Sequence, residues 1–211
     1  MKIAVIGAGG QGRVIFDLMT SLNEDFQPCF FDDHLKMVDR TDFPRILGTV
    51  RELLLNFHEL EISQAIIGIG NNEIRRKIYD RVEAAGISII SLIHPKATVS
   101  RYSRLGKGVV VCGHAFIGPD TLVGNNCIVN TAVTIDHDCR IGDHVHLCPG
   151  VCLAGSVSVG DGTMIGTGAS IIPGIRIGSR CTVGAGAVVI NNVPDDVTVV
   201  GVPANIIKKK E

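Results

Sequence analysis

From Val99 to Val189 every sixth residue is aliphatic: Val99, Leu105, Val111, Ile117, Val123, Val129, Ile135, Ile141, Leu147, Leu153, Val159, Ile165, Ile171, Ile177, Val183 and Val189. Glycine often follows, as at Gly106, Gly118, Gly124, Gly142, Gly160, Gly166, Gly178 and Gly184. This hexapeptide period predicts a parallel β-helix, in which short strands joined by corners stack lap on lap and bury a continuous core only by stacking. Three hexads make a lap, so residues 18 apart stack with a spacing of about 4.8 Å. The run gives roughly five laps without insertion. Asn191-Asn192-Val193-Pro194 is expected to end the coil, and a tail holding Gly201-Val202-Pro203-Ala204 follows. The flat outer faces are free to pack on sister chains, and a three-sided prism favours three-fold closure.

The first 93 residues carry a different pattern. Lys2–Ile6 is an apolar strand ended by glycine, and Gly12–Leu22 places Val14, Ile15, Leu18 and Leu22 at helical spacing. Cys29–Phe31 is a short strand, Val50–Leu55 a helix, Gln64–Ile69 a buried strand, Asn72–Ala85 a charged helix ended by Gly86, and Ile87–Leu92 a last strand. Alternating strands and helices imply a small parallel sheet with right-handed crossovers. His94-Pro95 breaks this pattern and the hexads begin at once, which divides the chain into an α/β domain over 1–93 and a β-helix over 94–211.

Composition narrows the function. The 211 residues are 45% hydrophobic but only 4% aromatic, a balance suited to a tightly wound coil of Val, Ile, Ala and Gly. A net charge of −1 offers no electrostatic reason for a nucleic-acid partner. No apolar run is long enough for a membrane helix, and Met1–Gly7 reads as a first strand rather than a secretory signal, so a cytoplasmic protein is expected. The seven cysteines are odd in number and form no Cys-x-x-Cys. Cys127, Cys139 and Cys181 stand at the fifth hexad position, elsewhere held by small residues such as Val109, Ala115 and Thr121, and read as core residues.

Three segments could carry chemistry. In Asp136-His137-Asp138 a histidine off the buried rows is flanked by carboxylates, an arrangement that fixes a tautomer and strengthens the imidazole as a proton acceptor. The plain alternative is a surface histidine in a polar turn. Gly155 lies 18 residues on, which stacks its backbone N–H one lap above His137, and a base beside a backbone donor is the minimum for acyl transfer. His146 falls half a lap from His137, within reach from another side or another chain, and Asn130 either positions a substrate or caps its turn. Next, Gly7-Ala8-Gly9-Gly10-Gln11-Gly12 has the G-x-G-x-x-G form between a strand and a helix, with Asp32 and Asp33 following at the distance of a dinucleotide fingerprint. The domain is too short for both mononucleotide-binding halves, so a nucleotide-linked ligand fits better than NAD. Finally, Gly70, Asn71 and Asn72 follow a buried strand at the carboxyl edge of the sheet, where ligands bind in open α/β folds and where an Asn also serves as a helix cap.

Taken together, the sequence resembles the sugar acyltransferases of bacterial surface-polysaccharide and glycoprotein pathways, the PglD/NeuD type. The likeness covers essentially the whole chain. It rests on Gly7–Gly12, Phe31-Asp32-Asp33, Ile67–Arg75, Leu92-Ile93-His94, Asn130-Thr131, Asp136-His137-Asp138-Cys139, Ile141-Gly142, His146, Ala154-Gly155 and Gly201-Val202-Pro203-Ala204. Members N-acetylate nucleotide-linked 4-amino-sugars or O-acetylate sialic acids, using acetyl-CoA. The resemblance implies a left-handed β-helix that forms a homotrimer, and a Rossmann-like half domain that holds the sugar nucleotide. By it, His137 is the general base, oriented by Asp138 or Asp136; Gly155 N–H binds the thioester oxygen; and His146 comes from the partner chain to contact the acetyl donor. Acetyl-CoA is expected between neighbouring coils near Thr167, Gly168, Ala185 and Gly186. The sugar nucleotide is expected at Gly9, Gly10, Gln11, Gly12, Asp32, Asp33, Gly70, Asn71 and Asn130, with Asp32 and Asp33 on the base or ribose. Many relatives carry His where this chain has Gln11, and Glu where it has an acidic neighbour of the base.

The expected activity is therefore acetyl-CoA-dependent N-acetylation of a UDP-4-amino-6-deoxy sugar. The alternative is O-acetylation of a sialic-acid-like sugar. A zinc enzyme like the γ-class carbonic anhydrases is remote, because His137, His144 and His146 lack the required spacing and no metal is expected. A β-helix that only assembles partners is the non-enzymatic reading.

Overall fold

The computed structural model describes residues 1–22, 25–34 and 44–209. The chain forms two compact units, Met1–Leu92 and Ile93–Glu211.

The first unit is a parallel sheet of β1 (Lys2–Ile6), β2 (Gln27–Phe31), β3 (Ile46–Gly48), β4 (Gln64–Ile67) and β5 (Ser88–Ile89), in the order β3-β2-β1-β4-β5. Helix α1 (Gly10–Ser21) follows β1, α2 (Val50–Asn56) follows β3 and α3 (Asn72–Ala84) follows β4. The central strand β1 is apolar throughout its buried stretch because both faces are covered, as parallel sheets require. Helix α2 starts on a reciprocal capping box between Thr49 and Glu52, whose Thr49 bonds hold the Glu52 carboxyl below its ordinary range. The strand expected over Ile87–Leu92 divides: Ser88–Ile89 joins this sheet, while Leu92–Ile93 pairs into the coil. Ile93 already stands in hexad phase, so the coil begins one hexad earlier than the His94-Pro95 break indicates.

The second unit is the expected β-helix, with three walls of parallel strands. The first wall runs from Leu92–Ile93 through Ile128–Val129 and His146–Leu147 to Thr182–Val183. The second runs from Thr98–Val99 through Thr134–Ile135 to Val188–Val189, and the third from Arg104–Leu105 through Arg140–Ile141 to Arg176–Ile177. The Cα partners are 18 apart, as in Ile117↔Ile135 and Ile141↔Val159. In the two-residue strands from Val110–Val111 to Val188–Val189 the second residue is the hexad aliphatic and is buried; at the open first lap Val99 and Leu105 are partly buried and Ile93 is exposed. Cys127, Cys139 and Cys181 are buried among these rows. Corner residues such as Asp138, His144 and Arg180 adopt positive φ, the left-handed conformation that lets a lap turn within one residue.

The coil does not end at Asn191–Pro194. Val193 bridges to Ile177, and Val197–Val200 pairs in parallel with Thr182–Val183 through Thr198 and Val199. Both partners are 16 residues apart, so a further lap forms, shortened by two residues. Asn205–Lys209 then folds back antiparallel on Val197–Val200 and closes the edge of the first wall.

Candidate active site and nucleotide cleft

The Asp136–Asp138 turn lies at the corner where the second wall passes into the third, directly after Thr134–Ile135. The two flanking carboxylates do different things. Asp136 Oδ1 accepts the backbone N–H of His137 at 2.8 Å, while Asp138 Oδ2 sits 2.8 Å from the imidazole Nδ1. Asp138 reaches the ring because its own backbone is left-handed, at φ 59°. The proton therefore rests on Nδ1 in the neutral ring, and Nε2 carries the lone pair. The Asp138 hydrogen bond, and after it the charge of Asp136, raises the His137 pKa above the ordinary 6.5. The side chain is about half exposed, at 53%.

The lap above completes this corner. A Cβ built on Gly155 would meet Cε1 and Nε2 of His137 at 2.6 and 2.7 Å, so the ring occupies the space that glycine leaves. Ser156 N–H donates to the His137 carbonyl at 2.9 Å and locks the two laps together.

Thr121, which its hexad position marks as a small core residue, holds the turn from inside. Thr121 is fully buried, donates its hydroxyl to the Asp136 carbonyl at 2.8 Å and accepts the Cys139 N–H at 3.2 Å. It clamps both ends of Asp136-His137-Asp138. A hydroxyl in a hexad slot mostly given to Val, Ala or Cys was the available signal, and Thr163 in the same slot makes the equivalent bonds to Gly178 O and Cys181 N–H.

The other candidates gather at a different corner, between the first and second walls. Asn130 Nδ2 stands 3.5 Å from His146 Nε2, one strand pairing apart. Above them Gly150 N–H donates to Thr131 O, Gly168 N–H to Pro149 O and Gly186 N–H to Thr167 O, at 2.9, 3.0 and 2.8 Å. Gly168 and Gly186 have positive φ and open space where a side chain would stand. Thr167, Gly168, Ala185 and Gly186 thus form a smooth ridge of small residues. Within one chain this ridge and His137 lie at opposite ends of the second-wall strands and are not brought together.

In the first unit the glycine-rich loop lies between β1 and α1. Its glycines divide by role. A Cβ at Gly12 would overlap the Gly7 carbonyl oxygen, one at Gly7 would come within 2.7 Å of Gly68 O, and Gly7 has φ 104°. Gly7, Gly12 and Gly68 therefore serve close packing of loop, helix and sheet. Gly9 and Gly10 face open space. They line a cleft of about 300 Å³ with Gln11, Asp32, Asp33, Gly68 and Gly70 among its walls. Helix α1 opens here without a side-chain cap and without an acidic residue in its first turn, leaving N-terminal amides available to an anion. Gln11 Nε2 is shut off from solvent and has no hydrogen-bond partner among the described residues.

Both cleft carboxylates also hold the frame. Asp32 accepts Ala8 N–H at 2.7 Å and His34 N–H at 2.8 Å, and Asp33 accepts Val50 N–H at 2.9 Å. Asn71 does not line the cleft; it caps α3 by accepting Ile74 N–H at 3.0 Å. The buried Arg75 donates to the carbonyls of Ile69 and Gly70 and to Asn72 Oδ1, which fixes the loop at the carboxyl end of β4. Among the described residues no group of His, Cys, Asp or Glu is arranged to hold a metal, and no helix is long and apolar enough to cross a membrane.

A stacked hexad coil with a carboxylate-held histidine at its corner defines a hexapeptide-repeat transferase. Residues 2–82 match the PglD N-terminal domain and residues 156–191 the bacterial transferase hexapeptide repeats. The acetyltransferase domain of PglB from Neisseria gonorrhoeae is 39% identical, with 98% of this chain and 99% of that one covered and a TM-score of 0.91. PerB from Caulobacter crescentus, solved with CoA and GDP-perosamine, is 36% identical over 99% and 98% of the two chains, with a TM-score of 0.92. The UDP-N-acetylbacillosamine N-acetyltransferase of Bacillus subtilis is 38% identical over 52% of this chain and 50% of its own. The chain spans 66% of the length of the GDP-perosamine N-acetyltransferase of Escherichia coli O157:H7, at 29% identity, and half the length of the Bacillus subtilis relative. The chain belongs to the PglD-type family of hexapeptide-repeat sugar acyltransferases.

Proposed function

We propose that the protein transfers the acetyl group of acetyl-CoA to the amine of a nucleotide-linked 4-amino-6-deoxy sugar, with UDP as the nucleotide, in bacterial glycan biosynthesis. The observation that carries this reading is the His137 ring, tautomer-locked by Asp138 and seated with Nε2 against Gly155. The amine attacks the thioester carbonyl, a C–N bond forms, and Nε2 takes the amine proton. The Gly155 N–H serves the developing oxyanion. As the C–S bond breaks, the proton passes from the imidazolium to the departing thiolate. An amine is nucleophile enough that no acyl-enzyme is required; the protein supplies position, a base and an oxyanion donor.

The glycine-rich cleft takes the nucleotide diphosphate. The uncapped start of α1 faces the charge a diphosphate carries, and Asp32 and Asp33 have oxygen lone pairs to spare for the ribose or base.

Acetyl-CoA lies along the small-residue ridge of Thr167, Gly168, Ala185 and Gly186 on a neighbouring chain, with His146 and Asn130 beneath it. Since ridge and base occupy the two ends of the second wall, a homotrimer with that wall turned inward would set each chain's ridge against the next chain's base. The outer residues support this arrangement. The second wall shows Thr98, Phe116, Thr134, Cys152, Ser170 and Val188, with no Asp, Glu, Lys or Arg among them, a property it shares with the first wall, whereas the third shows Arg104, Arg140 and Arg176. Both substrates place the reaction in the cytoplasm.

The test is a panel of UDP-, GDP- and dTDP-linked 4-amino sugars and free sialic acid, each with acetyl-CoA and read by thiol release. Turnover with a UDP-amino sugar and none with sialic acid supports the proposal. Turnover of the sialic acid alone would replace it with O-acetylation, and preference for another nucleotide would overturn UDP.

A further inference from the structure

The two carboxylates of the first unit's cleft are tied in opposite directions along the edge of the sheet. In the order β3-β2-β1-β4-β5 the glycine-rich loop follows β1, and Asp32 and Asp33 follow β2. Asp32 reaches back to the loop: its Oδ2 accepts Ala8 N–H and its Oδ1 accepts His34 N–H. Asp33 reaches the other way, to the end of β3, where its Oδ1 accepts the N–H of Val50, the first residue of α2. Its Oδ2 has no partner among the described residues, and the side chain stands exposed on the cleft wall.

We propose that Asp33 selects the base of the nucleotide, its Oδ2 accepting the N3–H of uracil. The proposal rests on the cleft reading given above. A diphosphate on the first amides of α1 leaves its nucleoside two ways to run. On the β4 side the cleft is lined by Gly68, Ile69, Gly70, Ile74 and Ile78, with no ionised acceptor. On the β2 side it is lined by both carboxylates, which suit a nucleoside that carries two ribose hydroxyls and, in uridine, one base N–H. Neighbouring strands lie about 4.8 Å apart, so the ribose comes level with Asp32 and the base, further out, with Asp33.

One open oxygen discriminates among bases. Uracil offers a single donor, N3–H, and Oδ2 is a single acceptor. Guanine offers two adjacent donors, N1–H and N2–H, which match a carboxylate with both oxygens open, and here Val50 N–H holds one of them. Cytosine carries a lone pair at N3, so two acceptors would face each other with no proton between them.

Asp33→Asn tests this by exchanging one atom. The side-chain oxygen keeps the Val50 N–H, and the amide NH2 takes the place of Oδ2. A donor then faces the N3–H of uracil, while the N3 lone pair of cytosine gains a partner. Binding of UDP, CDP and GDP to the full chain is measured by calorimetry, which needs no turnover. The unaltered protein is expected to bind UDP about tenfold tighter than CDP or GDP, the effect of one hydrogen bond to a charged group. In Asp33→Asn, UDP is expected to weaken and CDP to tighten, so that their order reverses; a damaged fold does not produce a gain. Equal loss of UDP and CDP, an unchanged order, or a preference of the unaltered protein for GDP overturns the proposal and leaves the cleft reading standing. Failure of the unaltered protein to bind any of the three overturns both.

Discussion

The imidazole of His137 fills the space that Gly155 leaves open one lap above it, with Nε2 2.7 Å from the point where a Cβ would stand. Base and backbone donor are thus set by the pitch of the coil rather than by a flexible loop. Gly155→Ala is expected to push the ring off this seat and away from Asp138. Because the displaced atoms end a side chain, the fold should tolerate the change. The account expects kcat to fall about 100-fold, the scale of a lost general base, with the melting temperature within a few degrees of wild type.

The Asp138 hydrogen bond gives a pH signature. His137 works as a base only when neutral, and its pKa lies above 6.5 because Asp138, and then Asp136, stabilise the imidazolium. The acid limb of kcat/KM should therefore fall at a pH above 6.5, with activity lost as pH drops through it. Asp138→Asn removes the main cause, so the limb should move to lower pH and the plateau should fall. A limb that stays in place in Asp138→Asn would show that another group titrates. Asp136→Asn should move it less.

Thr121 tests the support behind the turn. Thr121→Val deletes the hydroxyl that holds Asp136 O and Cys139 N–H, leaving one buried and one part-buried backbone group unpaired. A loss of about 1–3 kcal/mol in unfolding free energy is expected, and Thr121→Ser should restore most of it. Chemical denaturation measures both.

The glycines of the first unit should separate by function. Gly12→Ala would drive a methyl into the Gly7 carbonyl and is expected to cost about 1–3 kcal/mol or more. Gly10→Ala meets nothing within 4 Å; it should leave stability unchanged while weakening UDP binding, because its methyl intrudes on the cleft.

Much of this architecture was legible because a six-residue period is long, unbroken and tied to a single fold. The breaks in that period were harder to see. Ile93 keeps the phase, yet Leu92-Ile93 follows a strand-like run and reads as its end. The last lap drops two residues, so Val193 and Val199 fall out of step and the repeat looks finished. β3 spans three residues, too few to show any alternation. At the site, His137 was visible from its flanking carboxylates, but the choice between Asp136 and Asp138 depended on a left-handed residue at 138. Asp32's bond to Ala8 N–H and Arg75's grip on the Ile69–Gly70 loop are tertiary contacts without a local signature.

A shared site predicts complementation. His137→Ala and His146→Ala chains should each be impaired alone. Co-expressed, they should form mixed trimers in which one interface has both histidines, recovering a fraction of wild-type turnover. If purified mixed trimers show no more activity than the parents, base and donor contacts do not come from different chains.

The most direct test of the central claim is single-turnover thiol release from acetyl-CoA by His137→Ala at saturating sugar nucleotide, with nucleotide binding measured in parallel. The account predicts a rate reduced by about 10²–10⁴ with binding intact. A rate equal to wild type would contradict the assignment of His137 as the base.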